Sequence, residues 1–193
     1  RPAGPPDLRD LPGGVSNVTH GEGVRRGVGY AVGFKNIGYS EGFDDYSTAR
    51  VRLSVSAGEP LAEVHTAAAE VGQGLVTVQA QIARTELGVE RVVVLPADTQ
   101  VGSAGSSSAS RQTWMTGGAV KAACEAVRAS VLSLAAARLG RPAAGLTLAD
   151  GQVVHGEERL VGLADLLGEE AVEETREYHH RPTMPLGPDG QVE

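Results

Sequence analysis

The sequence predicts an α+β fold, a mixed β-sheet with helices packed on one face. Three observations carry this. Ala49, Val51, Leu53 and Val55 alternate with Arg50, Arg52, Ser54 and Ser56, the period of a half-buried strand. After Gly74 and again after about Ser110 the apolar residues recur with helical spacing. Strand-like and helix-like segments are interspersed rather than strictly alternating, which favours α+β over a doubly wound sheet.

The elements follow in order. Residues 1–24 hold four of the ten prolines and read as a linker or lead-in segment. Residues 25–40, glycine-rich among apolar residues, are expected to form a strand with close backbone approaches. Residues 49–56 and 61–69 form a hairpin about the turn 57–60. A helix then starts after Gly74, with Leu75, Val78, Ile82 and Ala83 on one face and Val76, Ala80 and Leu87 widening it, and stops at Gly88.

The apolar run 91–98 is a short strand ending at Pro96. From about Ser110 a long helix reaches Leu139, with a stripe of Val120, Ala123, Cys124, Val127, Val131 and Leu134. Lys121, Glu125 and Arg128 occupy its wet side, and Gly140 and Pro142 end it. Asp150-Gly151 between two apolar runs marks a second hairpin. Residues 159–170 read as a short helix. The tail, 169–193, is expected to be irregular, its acidic stretch a solvated face.

Composition narrows the function. The chain has 193 residues, enough for one well-packed domain or at most two small ones. Aromatics are 4%, so the core must be aliphatic and alanine-rich. A net charge of −7 argues against a nucleic-acid partner, which calls for a basic surface. No apolar run reaches the roughly 18 residues of a membrane span, so no membrane association is expected. Cys124 is the single cysteine, which rules out an intrachain disulfide and a multi-cysteine metal site and suits a reducing cytoplasm.

Two segments stand out chemically. "EVGQG" (70–74) and "GSAGSSSASRQT" (102–113) each run into a helix. Helix N-termini carry unpaired N–H groups and the positive end of the helix dipole, glycine admits close approach, and Gln73 and the serines add neutral hydrogen-bonding groups. Together these suit a phosphate-bearing or strongly polar cofactor. The competing reading is two caps and a flexible loop. Neither segment fits the dinucleotide fingerprint or the P-loop.

Other candidates are weaker. His65 is placed facing solvent or a partner strand, His179 and His180 on a surface loop, Cys124 in the core, and Trp114 in packing rather than in a pocket wall. No metal ligand set and no complete acid–base constellation can be read from spacing.

In order and spacing, "GFKNIG" (33–38), "EVGQG" (70–74), "QIARTELG" (81–88) and "GSAGSSSASRQTWMTGGAV" (102–120) resemble the large, molybdopterin-binding subunit of the xanthine dehydrogenase/aldehyde oxidase family. The bacterial purine-oxidising branch looks closest. "RPTMPLGPDGQ" (181–191) resembles a linker of that family more weakly.

The resemblance implies that Gly72, Gln73 and Gly74 hold the pterin, and that Ser108, Ala109, Ser110, Arg111 and Gln112 contact the pterin and its phosphate. Ala109 corresponds to a small residue beside the substrate, and Arg111 departs from the small residue of many relatives. Molybdenum would be held by the cofactor itself, with no protein ligand. Further implications are FAD and [2Fe-2S] clusters on partner subunits or domains, a purine substrate such as xanthine or hypoxanthine, and an oligomeric full enzyme. The pterin is left open between the plain and the cytosine dinucleotide form.

The family subunit is several times longer, and its catalytic glutamate has no recognisable counterpart here. The chain is thus expected to be a cofactor-binding fragment of the large subunit, inactive alone. An aldehyde or carbon monoxide oxidising relative, or a stand-alone binding or assembly module, are the alternatives.

Overall fold

The computed structural model describes residues 28–33, 37–39, 43–180 and 187–189. Compact packing divides the chain after Lys35, and the elements below all belong to the second unit, Asn36–Glu193. The expected lead-in segment 1–24 and most of the 181–191 stretch lie outside the described residues.

The main sheet has four strands, β1 (Tyr46–Ser56), β2 (Glu59–Thr66), β3 (Arg91–Val94) and β7 (Val172–His179), in the order β3-β2-β1-β7. β1 pairs antiparallel with β2, Val51 opposite Val64, and antiparallel with β7, Leu53 opposite Val172. β2 and β3 are parallel, joined through helix α1 (Leu75–Leu87). A parallel pair needs such a crossover because its strands run the same way. Of the expected alternation, Ala49, Val51 and Leu53 are fully buried and Val55 half-buried, and Ala62 and Val64 of β2 are fully buried beside them. On the opposite face, Arg52 pairs with Glu63 across the strands at 2.9 Å.

Helix α2 (Gln112–Leu139) lies under the buried face. Of the anticipated stripe, Val120, Ala123, Cys124, Val127 and Val131 are fully buried and Leu134 half-buried. Its exposed side carries Lys121, paired with Glu125 and with Glu86 of α1, and Arg128, 2.7 Å from Glu86. On α1 the buried positions are Leu75, Gln79, Ala83 and Leu87, whereas Val76 is exposed. Gln79 enters because its Oε1 accepts from the buried Thr66 hydroxyl at the end of β2 (3.4 Å).

A second sheet, β4 (Leu146–Ala149), β5 (Gln152–His155) and β6 (Glu158–Gly162), is antiparallel throughout. The short helix α3 (Leu163–Leu167) follows and packs under β1 and β2. The anticipated helix over 159–170 is therefore half strand and half helix. Helices on one face of a mixed sheet are as the sequence predicts.

Three expectations need correction. The tail 169–193 is not wholly irregular, since Val172–His179 forms the edge strand β7. Its inward residues are Val172, Glu174 and Tyr178, too few apolar ones to signal a strand. Glu174 is accommodated by a hydrogen bond from the Ser130 hydroxyl of α2, 3.1 Å. Within 25–40, the described residues 28–33 and 37–39 form no strand; a glycine-rich run offers few side chains to pack on a pleated surface. The first hairpin turns on two residues, Ala57 and Gly58, both at positive φ, rather than on 57–60. This type of turn matches the twist of the strands it joins.

Candidate functional site

The two segments singled out from the sequence leave the same end of the sheet, because β2 and β3 are parallel and each is followed at its C-terminal end by one of them. The first runs from Ala67 to Gly74. Gly74, the N-cap of α1, has φ 80° and supplies no side-chain cap. Glu70 takes that role from outside the helix. Its Oε1 accepts from the N–H of Gly72 (2.7 Å) and Gly74 (3.1 Å), and its Oε2 from the N–H of Val76 (3.0 Å). The Val76 N–H foremost, with those of Gly74, Gly72 and Gln73, outweighs desolvation and holds this carboxyl below the usual glutamate range. The helix start read from sequence as free for an external anion is thus already served by a carboxylate of the chain.

Gln73 is folded onto its own loop. Its Oε1 accepts from the Val71 N–H at 2.6 Å and its Nε2 donates to the Ala69 carbonyl at 2.9 Å. The space over Gly72 and Gly74 is open: a Cβ on either would meet nothing within 4 Å.

The second segment begins with a single 3-10 turn at Thr99–Val101, capped by Asp98. It is anchored to β1 by the Thr48 N–H donating to the Ser103 carbonyl, 2.7 Å. Its centre is Arg111, whose side chain is fully buried. Nε and Nη2 grip the Asp45 carboxylate, each at 2.6 Å. Nη1 donates to the carbonyls of Ala104 (2.6 Å) and Ser106 (2.7 Å), and Nη2 also to that of Tyr46 (3.1 Å). The guanidinium's five N–H groups are fully committed.

Gln112 reinforces the same wrap, its Nε2 donating to the Ser106 carbonyl at 3.0 Å and its Oε1 accepting from the Thr116 hydroxyl. Between these anchors Ala109 and Ser110 sit at φ 60° and 52°, left-handed values that non-glycine residues adopt rarely and at a cost. Exposed hydroxyls line the outer rim: Ser106 Oγ lies 2.8 Å from Ser108 Oγ, and Tyr39 Oη 3.2 Å from Ser108 Oγ. The serine hydroxyls lower the Tyr39 phenol below its ordinary pKa. The Gly38 N–H donates to the Ala109 carbonyl at 2.9 Å.

The structure therefore divides the candidate residues. Gly72, Gln73, Gly74, Ser108 and Ser110 are exposed, Ala109 is half-buried, and Arg111 and Gln112 are buried. Among the described residues no hydrogen bond joins the two loops, and no group of three or more His, Cys, Asp or Glu could hold a metal ion. Glu70, Asp45 and Tyr39 were missed. Glu70 could have been read from its place two residues before Gly72; nothing in the sequence ties Asp45 to Arg111 across 66 positions.

Trp114 departs from the packing role expected for it. It is 48% exposed and lines a groove of about 480 Å³ with Tyr178, Ile82 and Lys121. Its ring meets Tyr178 edge-on, centroids 6.4 Å apart. His65 is half-buried against Arg50, and His179 ends a strand rather than lying in a loop.

Among the described residues no helix is long and apolar enough to cross a membrane. Solved structures with the same fold include the following three. Quinoline 2-oxidoreductase from Pseudomonas putida 86 is 25% identical, with a TM-score of 0.57 over 69% of this chain. Carbon monoxide dehydrogenase from Oligotropha carboxidovorans, in reconstituted form, is 20% identical, with a TM-score of 0.55 over 69%. A Cu,Mo-containing carbon monoxide dehydrogenase in its carbon monoxide reduced state is 20% identical, with a TM-score of 0.53 over 67%. The matched region amounts to 18–19% of each of those chains. No curated protein matches. The sequence model of the molybdopterin cofactor-binding domain matches residues 10–190, and the chain belongs to that family.

Proposed function

We propose that this chain is a cofactor-holding part of a molybdenum hydroxylase, with molybdopterin held between the two loops. The observation that carries this is the exit of both loops from one end of the sheet. The donor set fits such a group. The first N–H groups of α2 have no side-chain cap, and the exposed, neutral Ser108 and Ser110 lie in the loop that enters that helix, a combination suited to a phosphate.

Gly72 and Gly74 leave room for a flat ligand, and the Gln73 amide, bonded to Val71 and Ala69, keeps one N–H and one oxygen lone pair to offer it. Ser108, Ala109 and Ser110 would make the second contact. Gln112 would contribute through its backbone N–H, because its side chain is spent on the loop. Arg111 holds the loop's shape from beneath. When bound, the cofactor supplies the two-electron oxidation that hydroxylates an electron-poor carbon with oxygen from water. The protein's own residues bind and orient.

The substrate we propose is a purine such as xanthine or hypoxanthine. FAD and [2Fe-2S] clusters on other subunits would carry electrons away, in a cytoplasmic oligomer completed by the rest of the large subunit. A second reading, a relative oxidising carbon monoxide or another small molecule, is favoured by the likeness to carbon monoxide dehydrogenase and quinoline 2-oxidoreductase.

Metal analysis of the active full-length enzyme tests the cofactor, and an active enzyme free of molybdenum would overturn it. Gln73→Ala should lower molybdenum content and activity while leaving the urea midpoint unchanged. Assays with purines, aldehydes and carbon monoxide separate the substrates.

A further inference from the structure

A glycine-rich turn at a helix start offers an anion several backbone N–H groups and the positive end of the helix dipole. In this chain Glu70 already supplies the anion. It stands four residues before the N-cap Gly74, and its two oxygens accept from Gly72, Gly74 and Val76 at 2.7–3.1 Å. With the turn held closed, the Gln73 amide spans Ala69 and Val71.

We infer that Glu70 is the built-in anion of the Gly-Gln-Gly turn, a positioning residue that closes the α1 N-terminus to external phosphate and fixes Gln73. An incoming phosphate would have to expel a carboxylate that accepts three N–H bonds, against repulsion between like charges. The consequence for the cofactor rests on the reading above: phosphate is received at the second loop, and the Gly-Gln-Gly turn meets an uncharged part.

The test follows the amide signals of Gly72, Gly74 and Val76 in the ¹⁵N-labelled 193-residue chain during titration with inorganic phosphate. Wild-type signals should stay fixed. In Glu70→Ala, phosphate should shift them saturably, and without phosphate these amides should exchange roughly tenfold faster or more. Phosphate shifting the wild-type amides, or Glu70→Ala amides that neither respond to phosphate nor exchange faster, would overturn the inference.

A second measurement needs no variant. As pH falls, the three wild-type amides should follow one common titration with a midpoint below the ordinary glutamate value, since N–H donors dominate the surroundings of Glu70. Separate titrations, or a midpoint at or above that value, would equally overturn it. A full-length enzyme lacking molybdenum would end the cofactor reading but leave these amide readouts unchanged.

Discussion

Arg111 and Asp45, 66 positions apart, form a two-pronged ion pair with side chains 0% and 3% exposed. The Asp45 carboxylate meets Nε and Nη2 in parallel, and the remaining guanidinium donors hold the backbone of the serine-rich loop. A buried charge is tolerated only when paired and hydrogen-bonded, and here both conditions are met.

Removing one partner leaves the other charge buried alone. Asp45→Ala and Arg111→Ala should each lower stability by about 3–5 kcal/mol, and the double variant should lose much less than their sum. Urea unfolding of the four forms checks this. Additive losses would show that the pair is not the clamp of the loop.

Gly105 sits where the guanidinium needs space. A Cβ there would lie 2.7 Å from Arg111 Nη2, and its φ of 61° already disfavours a side chain. Gly105→Ala should therefore cost about 1–3 kcal/mol, again read from urea midpoints. A neutral substitution would contradict the tight wrap.

Gly118 lies in the middle of α2, where alanine is intrinsically favoured by about 1 kcal/mol. Yet its Cβ would come within 2.6 Å of the Tyr178 ring on β7. Gly118→Ala should destabilise the wild-type protein by about 1–3 kcal/mol. In a Tyr178→Ala background the same change should become stabilising. That reversal of sign, seen in thermal melts, isolates the contact from helix propensity.

His179 lies between two carboxylates, Nε2 2.8 Å from Glu177 and Nδ1 2.9 Å from Asp44, and stacks on Tyr46. Hydrogen bonds to Glu177 first and Asp44 second raise its pKa above the ordinary value. A raised folded pKa means that this contribution is fully present below the unfolded value, near 6.5. It is lost as pH rises through the folded value. Urea midpoints should accordingly fall over that window in wild type and stay flatter in His179→Gln. Identical pH profiles would rule the pairing out.

Burial in α2 pushes the Cys124 thiol up to about 12, so it stays protonated at neutral pH. A thiol reagent should leave the native chain unlabelled and modify it fully in urea, because the thiolate is the reactive form. Rapid native labelling would place Cys124 outside the core.

Sequence by itself determined the secondary structure wherever one face is apolar. The alternation in β1, the long stripe of α2 and the Asp150-Gly151 turn each express a local period or a local backbone preference, and such signals need no distant partner. Recognition of the Gly-Gln-Gly and serine-rich loops depended on short motifs that are likewise contiguous.

Only the tertiary structure decided what those loops do with their polar groups. Arg111, which the resemblance implies contacts the cofactor, turns its side chain inward because Asp45 arrives from the start of β1. The strand β7 exists because the β1 edge and the small residues of α2 accept side chains that look solvent-facing in sequence. Glu70 is intermediate: its place just before the Gly-Gln-Gly turn is legible in the sequence, whereas its three N–H partners are set by the fold of the turn. Pairings of charge and hydrogen bond depend on distance in space, and a linear pattern carries that distance only when the partners are neighbours along the chain.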